Sequence, residues 1–183
     1  MNSVLKKVLP VVLLIWPYLF FAGFLIGEEN ENLFSAFFLG YLVMTAVVYL
    51  MNIVNAWMYK DEDNCYRLAF FDMLIKLLHI PFYLLVFLIG VLMFMAMVVP
   101  ALVFVSPFII FILFVVDLLL MITSSMYGVS ALVKAARQGK VSKKYAVVHG
   151  ILHFLFVTDV ISAICVFVKM SAVRRKEKSN RCV

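Results

Sequence analysis

The stretch HGILHFLFVTD, residues 149–159, sets the path of this chain through its surroundings. It sits in an otherwise apolar run, 145–168, and carries two histidines four residues apart and one aspartate. If the run is a single helix, it adds one more membrane crossing. If its polar residues keep it from crossing, the chain ends on the side where it began. His149 and His153 share a helix face, as residues four apart do. At roughly 100° per residue, Asp159 lies about 120° round from His153. The three side chains therefore do not make a metal site on one straight helix.

The surrounding composition identifies the solvent. Of 183 residues, 66% are hydrophobic and 14% are charged, and the mean hydropathy is +1.10. Soluble domains are typically ~45–50% apolar and ~25% charged. A chain of this size could not hide so much apolar surface from water. The reading is an all-α membrane protein, one bundle of about five transmembrane helices with no separate soluble domain. A bilayer core of ~30 Å takes roughly 20 apolar residues as helix. On that measure the spans fall near 8–27, 33–57, 73–99, 108–132 and 145–168. The run 68–132 has no polar loop, and VVPALVFVSP (98–107) divides it, because Pro100 and Pro107 disfavour helix at the residue before each. The stretch 66–79 is mixed enough to begin as an interfacial helix. The N-terminus starts like a signal peptide, but its apolar stretch is long and no A-x-A site follows, so it is read as a span.

Charge placement gives an orientation. Lys6, Lys7, Lys60, Arg67, Lys76 and the turn carrying Lys134, Arg137, Lys140, Lys143 and Lys144 fall on the cytoplasmic side if the N-terminus is inside. The acidic turn EENEN (28–32) and the proline turn then lie outside. Five crossings leave the polybasic tail, 169–183, on the wrong side for that rule. Four crossings, with 145–168 re-entrant or interfacial, put both termini inside. The tail is expected to be disordered and, if cytoplasmic, to attract anionic headgroups at ~1 kcal/mol per basic residue. Trp57 and Tyr59 read as interfacial aromatics. Cys65, Cys165 and Cys182 form neither a disulfide framework nor a zinc spacing. No basic folded face is available for nucleic acid.

Several polar residues in the spans invite a functional reading. Asp117 and Asp159 are equally distant in sequence from the turn centre at Gln138–Gly139. If the fourth and fifth helices are antiparallel neighbours, the two carboxylates lie at one depth and form a candidate proton or cation site. Tyr41, Thr45, Tyr49, Asn52 and Asn55 recur at three- and four-residue steps and make an inward stripe: helix-packing glue or the lining of a polar path. His79 could join His149 and His153 around a metal or haem, but the ligand set is incomplete. No cofactor is expected.

No nucleotide, protease or hydrolase motif is present. The wording YGVSALVKAARQGKVSKKYAVVHG…DVISAICVFVK, within 127–169, is similar to small uncharacterised bacterial multi-pass membrane proteins. That resemblance implies a bacterial inner-membrane location and transfers no activity. The first expectation is thus a non-enzymatic integral membrane protein acting through a membrane partner or self-assembly. The alternatives are a proton- or cation-coupled transporter or channel subunit using Asp117 and Asp159, and a metal or haem redox protein using the histidines.

Overall fold

In lipid, a backbone must satisfy its own polar groups, and a helix does so within one segment. The computed structural model describes residues 3–27, 31–58, 65–155 and 158–181, and among them there are six helices and no strand. They are α1 (Ser3–Gly27), α2 (Glu31–Trp57), α3 (Cys65–Ala96), α4 (Val105–Arg137), α5 (Lys143–Leu152) and α6 (Thr158–Arg181). Among the described residues three helical stretches, not the five expected, are long and apolar enough to cross a membrane: Ala36–Trp57 in α2, all of α3 and all of α4. This fits an integral membrane protein. Their outer faces present large apolar side chains such as Phe87, 68% exposed, and Phe108, 65% exposed. Residues 28–30 of the acidic turn, Tyr59, Lys60 and Cys182 lie outside the described residues.

Side-chain contacts fix the helix directions. α1 and α2 are antiparallel: Trp16 donates to Thr45 at 2.8 Å, and Asn55 donates to the Lys6 carbonyl at 3.3 Å. α3 and α4 are antiparallel as well, with Cys65 beside Gln138 at one end and Asp72 against Gly128 further in. α2 and α4 run parallel, joined where Ser130 donates to the Ala56 carbonyl at 2.6 Å. The turn between α3 and α4 spans residues 97–104. Pro107 then sits in the first turn of α4, where a missing N–H costs no intrahelical bond.

α4 ends at Gln138 in a Schellman arrangement. Lys140 N donates to Ala135 O at 2.9 Å and Gly139 N to Ala136 O at 3.2 Å. Gly139 has φ +69°, the left-handed conformation this cap requires. Ser142 then caps α5, accepting from Tyr145 N at 3.2 Å.

The expected single span at 145–168 is in fact two helices. α5 has 10 residues, about 15 Å of rise, or half a bilayer core of ~30 Å. It ends at His153, and α6 turns back along it. His149 Nδ1 lies 2.8 Å from Ser162 Oγ near the tip, and Lys140 pairs with Glu177 at 3.2 Å at the base. α6 also descends along α3, with Phe167 against Phe70 and Tyr66, and Arg174 over the Tyr66 ring at 4.4 Å. The α5–α6 pair is therefore a helical hairpin that enters and leaves the bundle at the same end. Two further expectations change. The stretch 66–79 is not a separate interfacial helix, since α3 is continuous from Cys65. The tail up to Arg181 is not disordered but continues α6.

Candidate functional site: a buried charge cluster at the hairpin tip

The hairpin tip meets α3 and α4 at a group of four ionisable side chains. Asp72 and Lys76 come from α3, four residues apart on one face. His153 closes α5, and Asp159 lies in the first turn of α6, where a carboxylate complements the helix dipole. All four are buried, with Asp72 and His153 at 0% exposure. Lys76 is the hub. Its ammonium stands 3.0 Å from Asp72 Oδ1, in direct contact with Asp159 Oδ1, and 2.6 Å from His153 Nδ1. His153 Nδ1 is also 3.1 Å from Asp159 Oδ1, and its Nε2 is 3.7 Å from Asp72 Oδ2.

The break in the helix makes this possible. On a straight helix His153 and Asp159 would point about 120° apart. Residues 153–155 instead close with short-range bonds, Phe154 N to Ile151 O and Leu155 N to Leu152 O. Thr158 Oγ1 lies 3.3 Å from both the Leu152 and Leu155 carbonyls, taking up acceptors the break would leave open. Ser125 of α4 anchors the tip by donating to the His153 carbonyl at 2.7 Å and lies 3.4 Å from Asp159 Oδ1. Gly128 gives the cluster its room. A Cβ there would stand 2.6 Å from both Asp72 Oδ2 and His153 Nε2.

One atom in this cluster is contested. His153 Nδ1 cannot accept a hydrogen bond from Lys76 and donate one to Asp159 at the same time. With Nδ1 accepting, two carboxylates and one ammonium sum to −1. With both ring nitrogens protonated, the four groups sum to zero, but an imidazolium then faces an ammonium at 2.6 Å. Adding one proton therefore balances the charge and strains the geometry together. His149, one turn back on α5, and Tyr83 on α3 lie within electrostatic reach of His153 and Asp159 respectively.

The residues singled out from the sequence are dispersed differently. Asp159 joins the cluster and Asp117 does not. Because the hairpin turns back, Asp159 is level with Ser125, and Asp117 lies eight residues away along α4, about 12 Å. The expectation of equal depth requires an unbroken fifth helix. Asp117 is buried, its Oδ1 has no hydrogen-bond partner among the described residues, and it lies within electrostatic reach of Tyr49 and Tyr83. The histidines also part company. His79 Nε2 meets the Leu14 carbonyl at 3.3 Å on α1, and His149 bonds to Ser162 and packs at a tilt against the Tyr145 ring. Among the described residues no group of three His, Cys, Asp or Glu side chains is placed to hold a metal ion.

The stripe on α2 meets its neighbours through neutral groups. Tyr127 donates to Asn52 Oδ1 at 2.7 Å, and Asn55 Nδ2 lies 3.1 Å from the Tyr127 hydroxyl. Thr45 receives Trp16, and Tyr41 donates to the Trp16 carbonyl at 3.1 Å with the two rings stacked. Tyr49 is buried between helices.

Sequence reasoning misses Asp72, Lys76, Ser125, Tyr127 and Gly128 as site residues. A signal for the first two is present: an acid and a base at i,i+4 inside an apolar run. An interfacial helix at 66–79 would turn both toward water and hide that signal.

No curated protein and no solved structure matches the chain. The sequence model of one family, described as "Family of unknown function (DUF6652)", matches residues 3–172, nearly the whole length, and the chain belongs to that family.

Proposed function

We propose that this chain is a small proton-coupled membrane transporter or channel subunit. In this reading the proton site is the Asp72–Lys76–His153–Asp159 cluster, with Asp159 retained from the sequence expectation and Asp117 outside the cluster. The observation that carries the reading is the contested His153 Nδ1, 2.6 Å from one ammonium and 3.1 Å from one carboxylate. Ionisable groups buried at membrane depth are costly and lean toward function. A proton arriving at Nδ1 repels Lys76 toward Asp72 and loosens the Lys76–Asp159 contact that ties α6 to α3. The hairpin is then the element that moves. A purely partner-binding or assembly role has only exposed apolar side chains behind it, and lipid covers those equally well.

The topology belonging to this reading has four crossings, α1 to α4, with α5–α6 re-entrant. α1, at 25 residues, is long enough to cross as a helix. Lys6, Arg137, Lys140, Lys143 and Arg174 gather at one end, which the positive-inside rule assigns to the cytoplasm. A bacterial inner membrane with the N-terminus inside is the matching location. Gln138→Cys and Ser179→Cys should then label from the same side of the membrane. Labelling from opposite sides would restore a fifth crossing.

The functional test is a pH jump on proteoliposomes adsorbed to a solid-supported membrane. Proton entry to a site buried in the bilayer should give a transient displacement current absent from empty liposomes. Asp159→Asn and His153→Gln should each abolish it. No current, or a current unchanged in both variants, overturns the reading.

A further inference from the structure

A second feature lies on the outer side of the hairpin. Between α4 and α5 runs an open groove of about 520 Å³, within the ~300–1,000 Å³ usual for ligand sites. Its walls are apolar, among them Val133, Ala146, Gly150 and Phe154, except at one end, where Arg137 and Lys143 stand. We infer that this groove binds one anionic phospholipid, its phosphate held by Arg137 and Lys143 and one acyl chain laid along α5 toward Phe154.

Four observations fit that occupant. From Lys143 to Phe154 the groove runs along eleven residues, about 16 Å, the depth of one leaflet of a ~30 Å core. Its side is open, since Val147 and Ile151 at its rim are exposed, so a lipid enters from the bilayer without passing through water. The cations are unspent. Among the described residues Lys140 pairs with Glu177, whereas neither Arg137 nor Lys143 has a carboxylate partner. Lys143 also opens α5, and the positive end of that helix adds to the field on a phosphate. Finally, the groove has space at its centre: a Cβ added at Gly150 would meet nothing within 4 Å. A free anion has no use for the apolar wall, and a peptide would find no backbone partner on it. The inference needs α4 to lie in a bilayer and is independent of the proton site.

The test is native mass spectrometry of the purified full chain in detergent with an equal mixture of phosphatidylglycerol and phosphatidylcholine of matched chains. One phosphatidylglycerol per chain should be retained, at least fivefold over phosphatidylcholine. The double change Arg137→Gln with Lys143→Gln should erase that preference. Gly150→Leu, or Ala146→Leu if the first misfolds, should remove the bound lipid with both cations intact. Arg174→Gln with Arg175→Gln, on the basic end of α6, should leave the preference unchanged. Equal retention of both lipids by the unmodified chain overturns the inference. So does a preference that survives the Arg137/Lys143 change or the groove-filling change, or one lost only with Arg174 and Arg175.

Discussion

The α1–α2–α4 contact and the hairpin tip are both buried and both polar, yet they are built from different groups. In the first, Asn52, Asn55, Tyr127, Thr45 and Trp16 are neutral and bond to one another or to backbone, with Asn55 Oδ1 left without a partner among the described residues. In the second, two carboxylates and a histidine share one ammonium. A neutral network in low dielectric has one low-energy arrangement, which rigidifies the helices that make it. A charged cluster has as many arrangements as it has proton positions. On the proposed reading, the neutral contact holds the bundle and the charged one is where it changes state.

Lys76→Met tests that contrast hardest. It leaves two carboxylates at the tip with no cation, and removing one partner of a buried ion pair typically costs about 3–5 kcal/mol. Thermal unfolding in detergent should register that loss. The deficit should shrink as pH falls, because a protonated carboxyl needs no counter-charge. Adding Asp72→Asn and Asp159→Asn should recover at least half of it. A loss below about 1 kcal/mol would mean the four groups do not act as a charged unit.

Gly128→Ala comes next. The new Cβ must displace Asp72 or His153, and overpacking of this kind costs about 1–3 kcal/mol. Gly90, whose added Cβ meets nothing within 4 Å, is the control. Alanine there should be neutral or stabilising by up to about 1 kcal/mol, as for a glycine in a helix interior. Equal effects at the two glycines would remove the steric argument for the cluster.

On the neutral side, Tyr127→Phe strands the Asn52 oxygen and takes a partner from Asn55. The expected loss is about 1–3 kcal/mol. It should be the same at pH 5 and pH 8, and the displacement current should survive. A pH-dependent loss would join the two regions into one titrating system.

How far the sequence reaches depends on the physics of each element. The long apolar helices are legible because apolar length is a direct signal in lipid, and Pro100 with Pro107 marks the uncharged turn between α3 and α4. The polar stripe on α2 is legible from its spacing. The hairpin is not, because residues 145–168 are as apolar on average as a span. A tertiary contact breaks that run: His153 and Asp159 fold back to reach Asp72 and Lys76, and they lie 77 and 83 residues from Lys76 in sequence. Loop charge alone hints at a re-entrant segment and says nothing of its tip. Asp117 and Asp159 pair only when counted along a helix that is not continuous. Asp72 and Lys76 face water only if α3 begins later than it does.

The smallest expected effect asks from which end the hairpin is held. Lys140 and Glu177 pair at its base, 19% and 38% exposed as side chains. Exposed pairs of this kind contribute about 0–1 kcal/mol, and at 0.15 M salt screening acts over roughly 8 Å. Glu177→Gln should therefore lower stability by less than about 1 kcal/mol, and the difference should vanish at high salt. At the tip the same species of contact is desolvated on all sides, so Lys76→Met should be insensitive to salt. Comparing the two variants at low and high ionic strength measures the division directly. If Glu177→Gln costs as much as Lys76→Met, or if both respond to salt alike, the hairpin is fixed at its base. The tip cluster would then be a passenger, and protonation there would have no lever on α6.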